Sequence, residues 1–308
     1  MKTLKLGTSD LSVGRIAYGC WRLSQSTPKQ AQEKIETALS VGMTLIDTAD
    51  IYGFSEPSTY TDEDNGFGEA EAVMGEMFKS SPALRDDMVL VTKGGIIPPR
   101  PYDSSVDYLT GALERSLTRL HTDRVDLFLI HRPDLSTSFE AAGRALDGLV
   151  QSGKTRYVGV SNFTATQASA LQAHMDSQLS VHQNEFSALC QDPITDGIFD
   201  QCQEKGMTLM AWSPLARGAL ATGQNNEKFD ADMFRRVTAV MGNLAKTYET
   251  TPANIALAFT LRHPASVLPI IGTQTLSRIK DSAKADDITL SAREFYDIIE
   301  AFRGQAMP

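Results

Sequence analysis

Short apolar runs of strand length alternate along the chain with segments of helical periodicity. Eight strand-like runs lie at residues 15–20, 44–49, 88–95, 125–131, 157–162, 180–186, 208–214 and 267–272. The intervening pattern predicts helices over 28–41, 106–120 and 252–262. Each of these helices follows residues that favour a helix start, namely Ser26-Thr27-Pro28, Ser104-Ser105 and Thr251-Pro252.

Continuous apolar strands that alternate with helices indicate a parallel sheet covered on both faces. Eight such units are the number that closes a barrel, and a chain of 308 residues is long enough for one. We therefore predict a (β/α)8 TIM barrel, with residues 1–308 as a single domain. The competing open, doubly wound sheet needs G-x-G-x-x-G after its first strand, and the nearest candidate, Gly66-Phe67-Gly68, follows a polar loop instead.

The opening segment, residues 4–14, has a turn-like centre at Gly7–Asp10. We expect it to form a β-hairpin that plugs the floor of the barrel. Two irregular inserts, residues 53–67 and 217–230, follow predicted strand ends. Loops in this position build the active sites of barrels.

Composition and charge narrow the range of partners and locations. The net charge is 29 − 38 = −9, and the basic residues do not cluster, so nucleic acid is not an expected partner. No run of 18 apolar residues predicts a membrane span, and no apolar block follows the first lysines, so we expect a cytoplasmic protein. The cysteines Cys20, Cys190 and Cys202 include no C-x-x-C pair, which favours reduced thiols and argues against a metal site.

Ionisable residues follow three successive predicted strands: Asp47, Lys93 and His131, with Tyr52 just beyond the first of these. Taken alone, each of these residues is as readily explained by a structural role as by a catalytic one. Together they form a chemical set, because a lysine beside a tyrosine lowers the phenol's pKa from about 10 towards the range of a useful acid. Asp47 would keep Lys93 charged, and His131 would orient a substrate oxygen.

A phenol that gives a proton to an oxygen suggests carbonyl reduction, with an aldehyde or ketone as the small-molecule substrate. The reaction also needs a hydride, which no side chain can provide, so a cofactor is implied.

Seven segments resemble the aldo-keto reductase superfamily, in that family's order: DTADIYG, VTKGG, LFLIHRPD, GVSNF, HQNEFS, AWSPLARG and PIIGTQTLSR. The likeness covers nearly the whole chain and is greatest to bacterial NADPH-dependent members. It implies reduction of a carbonyl by hydride transfer from NADPH, with Tyr52 as proton donor supported by Asp47, Lys93 and His131.

The resemblance also implies a set of cofactor-binding residues. Ser161, Asn162 and Gln183 match the residues that hold the nicotinamide carboxamide, and Trp212 stands where a tyrosine usually stacks on the ring. The first loop contributes Gly19, Cys20 and Trp21 beside Asp47, although a tryptophan after a strand is equally often a core residue. The pyrophosphate side matches Ser213, Pro214, Leu215, Arg217 and Gly218, and the adenosine side matches Ile271, Gly272, Thr273, Gln274, Arg278, Asp281 and Ser282.

Two departures from the family pattern concern the adenosine end. Gln274 stands where many members have a basic or small hydroxyl residue, and Asp281-Ser282 replace an acid and an asparagine that commonly hold adenine. Arg278 is then the main expected anchor for a 2′-phosphate. The resemblance still favours NADPH over NADH.

Two other function classes fit parts of the pattern. A lysine at a barrel strand end can form a Schiff base, so Lys93 could serve an aldolase. The superfamily also includes β subunits of potassium channels, which keep the cofactor but act through binding. The acidic residues Glu56, Asp62, Glu63 and Asp64 are interpreted as a solvated loop. The physiological substrate, the reaction's direction and the oligomeric state do not follow from the sequence.

Overall fold

The computed structural model describes residues 1–55, 66–98, 100–225 and 228–308. The acidic residues Glu56, Asp62, Glu63 and Asp64 lie outside them. The strands of the described chain are β1 (Thr3–Lys5), β2 (Ser12–Gly14), β3 (Ala17–Gly19), β4 (Leu45–Asp47), β5 (Val89–Gly94), β6 (Ile96–Ile97), β7 (Arg100–Tyr102), β8 (Val125–Ile130), β9 (Thr155–Ser161), β10 (Leu179–Glu185), β11 (Thr208–Trp212) and β12 (Leu268–Ile271).

Eight of these strands, β3, β4, β5, β8, β9, β10, β11 and β12, are parallel and close a barrel in chain order. The predicted (β/α)8 barrel is confirmed. Neighbouring strand ends lie side by side: Gly19 pairs with Asp47, and Ser161 pairs with Gln183. The carboxyl-terminal residues of the strands therefore meet at one edge, which forms the mouth of the barrel.

The helices of the described chain are α1 (Pro28–Ser40), α2 (Glu69–Ser80), α3 (Val106–Leu120), α4 (Phe139–Gln151), α5 (Ala165–Gln172), α6 (Ile198–Lys205), α7 (Ala219–Thr222), α8 (Ala231–Thr247), α9 (Pro252–Arg262), α10 (Leu276–Ser282) and α11 (Ala292–Arg303). The predicted helices are confirmed as α1, α3 and α9. Their starts are fixed by side-chain caps from Thr27, Ser105 and Thr251, each of which accepts a bond from the backbone N–H three residues later. None of the described helices has the length and apolarity needed to cross a membrane.

The barrel strands are largely buried on both faces, and their residues alternate between two apolar clusters. In β8, Leu127 and Leu129 belong to the cluster inside the barrel, whereas Phe128 and Ile130 pack towards the surrounding helices. This alternation follows from the two-residue period of a strand. It explains why β8 is apolar at nearly every position although it is a strand.

The predicted N-terminal hairpin is confirmed: β1 and β2 pair antiparallel, and Leu6, Leu11 and Val13 join the cluster inside the barrel. Gly7 lies in the turn at φ 54° and donates its N–H to Thr208 Oγ1 at 2.8 Å. A Cβ at Gly7 would lie 1.8 Å from the carbonyl oxygen of Ser180. The hairpin turn therefore approaches β10 too closely for any other residue.

Replacement of Gly7 by alanine tests whether this close approach stabilises the barrel floor. We expect Gly7→Ala to lower the free energy of unfolding by about 2–5 kcal/mol, the sum of a left-handed backbone cost and an overpacking cost. Gly153→Ala is the matched control, because Gly153 has φ 72° but nothing within 4 Å of its added Cβ. The control should lose about 1–2 kcal/mol. Equal losses in urea unfolding would contradict the packing argument.

Candidate active site

The predicted catalytic residues lie on neighbouring strand ends at the mouth of the barrel. Asp47 is the last residue of β4, Lys93 lies near the end of β5, and His131 directly follows β8. Tyr52 lies in a turn after β4, where its backbone N–H donates to Ala49 O at 3.1 Å. The turn brings the phenol back over the strand ends, so the structure places all four side chains in one cluster.

Lys93 is the centre of this cluster. Its side chain is 0% exposed, and its ammonium donates to Asp47 Oδ2 and Thr48 O at 2.8 Å each and to Tyr52 Oη at 2.9 Å. An ammonium has three N–H donors and no acceptor, so its bonding capacity is fully used. Burial lowers the pKa of Lys93, but the charges and hydrogen bonds of Asp47 and Tyr52 outweigh burial, and the net pKa lies above 10.5. Lys93 therefore stays charged.

Tyr52 is the acceptor in its bond with Lys93, so its own hydroxyl hydrogen must point elsewhere. Burial raises the pKa of Tyr52 above 10, the Lys93 charge offsets part of that rise, and the Asp47 carboxylate adds to it. We expected Lys93 to bring the pKa of Tyr52 below its ordinary value, and this expectation is wrong because the net shift is upward. Loss of solvent outweighs the neighbouring cation. The phenol keeps its proton at neutral pH.

His131 lies against Tyr52 with the ring centroids 6.0 Å apart and the rings nearly perpendicular, at 79°. Its imidazole is buried, and burial, followed by the charges of Lys93 and Arg132, holds its pKa well below 6.5. The ring is therefore neutral. Its Nδ1 atom is buried and has no hydrogen-bond partner in the described ranges.

Asp47 connects this cluster to the opposite side of the barrel. Its Oδ2 atom accepts from Lys93, and its Oδ1 atom accepts from Gln183 Nε2 at 2.9 Å. Gln183 lies on β10 and is one of the predicted carboxamide-binding residues. The carboxylate therefore fixes both the ammonium and the glutamine amide.

The other predicted nicotinamide residues form a second hydrogen-bonded group. Asn162 adopts a left-handed backbone at φ 60°, and its Nδ2 atom donates to His131 O at 3.0 Å and Ser161 Oγ at 2.8 Å. Its Oδ1 atom accepts from Trp212 Nε1 at 3.1 Å. Asn162 thus holds the indole of Trp212 in one orientation through a contact that a phenylalanine ring, which has no donor, could not make.

The first loop brings Gly19, Cys20 and Trp21 to the same mouth. Gly19 pairs with Asp47, and Cys20 N donates to Asp47 O at 2.8 Å. Burial, and then the nearby Asp47, raise the pKa of the Cys20 thiol, although Lys93 opposes this. Trp21 is 63% exposed, so the alternative in which it is a core residue is wrong.

The turn after β11 carries an unusual backbone. Ser213, Ala216 and Arg217 all have positive φ values, at 52°, 49° and 57°. Such values are uncommon outside glycine and persist where surrounding structure enforces them. The predicted pyrophosphate residues Ser213, Pro214, Leu215, Arg217 and Gly218 all lie in this turn, and Arg217 is exposed.

The predicted adenosine residues fall into two groups. Gly272 and Arg278 are exposed after β12, and Arg278 makes no ion pair within the described ranges. Asp281 and Ser282 instead use their side chains within the protein: Asp281 pairs with Lys284 at 2.8 Å, and Ser282 Oγ donates to Arg278 O at 2.8 Å. These last two side chains have partners within the protein, and their role at the adenosine end stays a prediction.

Several residues near these sites were not predicted from the sequence. The Thr48 carbonyl is a backbone group, so the residue type at this position does not indicate its contact with Lys93. Tyr18 donates to Thr273 O at 3.3 Å, and Lys34 donates to Gln274 Oε1 at 2.9 Å. Lys34 belongs to α1, where a lysine looks like an ordinary surface residue, so the sequence held no signal for this contact. No cluster of three potential metal ligands occurs within the described parts of the chain.

Comparison with known proteins identifies the family of this chain. The Aldo/keto reductase family profile matches residues 15–302. A 6-dehydroglucose reductase of Novosphingobium aromaticivorans is 42% identical over 99% of this chain and 96% of its own length. A 6-dehydroglucose reductase of Agrobacterium fabrum is 37% identical over 96% of each chain.

A solved structure supports the fold. The thermostable aldo-keto reductase Tm1743, crystallised with the inhibitor epalrestat, superposes with a TM-score of 0.82 at 27% identity, over 98% of this chain and 100% of that one. The family match spans nearly the whole barrel, including all the strand ends that carry the clustered side chains. The chain therefore belongs to the aldo/keto reductase family of oxidoreductases.

Proposed function

We propose that this protein reduces an aldehyde or ketone to an alcohol with NADPH, and that Tyr52 donates the proton. The observation that carries the proposal is the 2.9 Å bond from Lys93 Nζ to Tyr52 Oη. Since Lys93 can only donate, the Tyr52 hydrogen is directed away from it and has no acceptor among the described residues. A protonated phenol beside the mouth is a general acid available to a carbonyl oxygen.

The residues at the mouth fit a nicotinamide cofactor. Trp212 presents an aromatic face held by Asn162, and Gln183 is held by Asp47. Stacking against an aromatic face and hydrogen bonds from fixed amides suit a flat carboxamide-bearing ring. When bound there, the dinucleotide supplies the hydride that no side chain can provide.

The chain's own groups provide the proton and orient the substrate. Tyr52 and the neutral imidazole of His131 lie next to each other, so both can reach one carbonyl oxygen. Charge that develops on this oxygen is stabilised by donors that are already in position. Lys93 stabilises the phenolate left after proton transfer, and Asp47 keeps Lys93 charged and in place.

The Schiff-base alternative is not favoured by the same contacts. An aldolase lysine must lose its proton to become a nucleophile. Burial lowers the pKa of Lys93, but Asp47 and Tyr52 reverse that effect, and all three N–H groups are already bonded. The amine therefore has no free lone pair to attack a carbonyl.

Two relatives named 6-dehydroglucose reductase, at 42% and 37% identity, indicate which substrate to assay first. We propose an oxidised sugar with a free aldehyde as the substrate class. The direct assay is loss of NADPH absorbance with 6-dehydroglucose, beside a panel of simple aldehydes and ketones. Cofactor binding without turnover on any of them would instead favour a regulatory subunit.

Replacement of Tyr52 by phenylalanine tests the proton donor. We expect Tyr52→Phe to lower kcat by about 10²- to 10⁴-fold, the usual contribution of a general acid, while NADP⁺ still binds. Tyr248→Phe is the matched control, because the Tyr248 hydroxyl bonds Glu294 at 2.8 Å, remote from the mouth. Steady-state kinetics and calorimetric binding measure both effects. Near-wild-type turnover in Tyr52→Phe would reject the role.

Replacement of Trp212 separates the aromatic face from the indole N–H. Trp212→Phe keeps a face but loses the bond to Asn162, so we expect cofactor affinity to fall by about 2- to 10-fold, the effect of one hydrogen bond. Trp212→Leu loses the face as well and should weaken binding further. The dissociation constant of NADP⁺ in each variant gives the comparison. Identical affinities in the two variants would show that the face contributes nothing.

Reductive trapping tests the charged state of Lys93. Protein treated with glyceraldehyde and borohydride, without cofactor, should carry no adduct on the Lys93 peptide, since the amine is buried and protonated. Exposed Lys29 serves as the internal standard for non-specific labelling. Peptide mass spectrometry reports both sites. Preferential labelling of Lys93 would support the aldolase instead.

A further inference from the structure

Lys34 lies on a surface helix, but its side chain bonds two residues outside that helix. Its ammonium donates to Ser26 Oγ at 2.6 Å and to Gln274 Oε1 at 2.9 Å. Both partners are neutral, and no carboxylate lies within ion-pair distance of Lys34 in the described ranges. Of its three N–H donors, two are used by these bonds. A partly buried cation with one donor remaining and no anionic partner is suited to bind an anion.

The tether to Gln274 brings this cation to the turn after β12. Gln274 is itself held at its other end, where Nε2 donates to Tyr18 Oη at 3.4 Å. Tyr18 in turn donates to Thr273 O at 3.3 Å. The glutamine amide is thereby oriented with its oxygen towards Lys34. Helices α1 and α10 pack together, which keeps the two partners in register.

The same turn lacks a basic residue at position 274. Gln274 stands where a basic or small hydroxyl side chain is expected, and Arg278, four residues later, is exposed without an ion pair among the described residues. Lys34, which lies on α1, places a positive charge beside position 274. Burial lowers the pKa of Lys34, and the charge of Glu33 offsets part of this effect, as expected for a cation that has lost water without an anion in direct contact.

We propose that Lys34 binds the 2′-phosphate of NADPH together with Arg278 and so determines the preference for NADPH over NADH. The inference rests on the proposed function, because it requires that the turn after β12 holds the adenosine end of the cofactor. A lysine acts as a compact point charge towards phosphate, and its hydrogen bond to an anion is stronger than either bond it makes to a neutral oxygen.

The test compares ligands that differ only in the 2′-phosphate. Titration calorimetry gives dissociation constants for NADP⁺ and NAD⁺, and for 2′,5′-ADP and 5′-AMP, with wild-type protein and the Lys34→Gln, Arg278→Gln and double variants. Lys29→Gln is the matched control, since Lys29 is exposed on the same helix and makes no ion pair in the described ranges. We expect Lys34→Gln to weaken NADP⁺ and 2′,5′-ADP by about tenfold, the effect of one charge-assisted bond, and to leave NAD⁺ and 5′-AMP unchanged.

The outcomes distinguish this inference from the proposed function. Wild-type protein that binds none of the four ligands overturns both. Wild-type preference for NADP⁺ that Lys34→Gln leaves intact overturns the role of Lys34 alone. Equal weakening of NADP⁺ and NAD⁺ also overturns it, because the lysine would then shape the turn and not bind the phosphate.

A second measurement needs no variant. Lysine acetylation of the wild-type protein, followed by peptide mass spectrometry, reports the accessibility of each amine. We expect 2′,5′-ADP to protect Lys34 from acetylation, 5′-AMP to protect it much less, and neither to protect Lys29. Equal protection by the two nucleotides, or none from either, contradicts a bond to the 2′-phosphate.

Discussion

The buried ammonium of Lys93 is the interaction on which the rest of the mouth depends. A charge removed from water is strongly destabilising unless it is paired and fully hydrogen-bonded. Lys93 meets this condition through one carboxylate, one backbone carbonyl and one phenol, at 2.8–2.9 Å. Its three bonds connect Asp47 at the end of β4, the Thr48 carbonyl that follows, and the Tyr52 hydroxyl in the turn beyond.

From this centre a chain of hydrogen bonds crosses the barrel. Asp47 links Lys93 to Gln183, so groups on β4, β5 and β10 share one carboxylate. A separate chain runs from His131 through Asn162 to Trp212. The first chain includes the Lys93 ammonium that bonds Tyr52, and the second holds the indole of Trp212. Rigid strands support both, which keeps the groups in position before any ligand arrives.

The fold was predictable because its signals are local. Apolar strands, capped helices and the turn around Gly7 each follow from short stretches of sequence, and eight repeats of one unit define the barrel. The gathering of Asp47, Tyr52, Lys93 and His131 was also predictable, because parallel strands bring their carboxyl ends to one edge. The direction of the Tyr52 pKa shift was not predictable, since it depends on how much water the folded site excludes. The contact between Lys34 and Gln274 was equally hidden, because it joins residues 240 positions apart.

The central claim is that Tyr52 is a protonated phenol held by a charged lysine, and ultraviolet difference titration tests it most directly. The absorbance of phenolate, measured in wild-type protein and in Tyr52→Phe, isolates the ionisation of this one residue. The account predicts no phenolate signal from Tyr52 until the pH exceeds the ordinary tyrosine value of about 10. Ionisation of Tyr52 near neutral pH would contradict it.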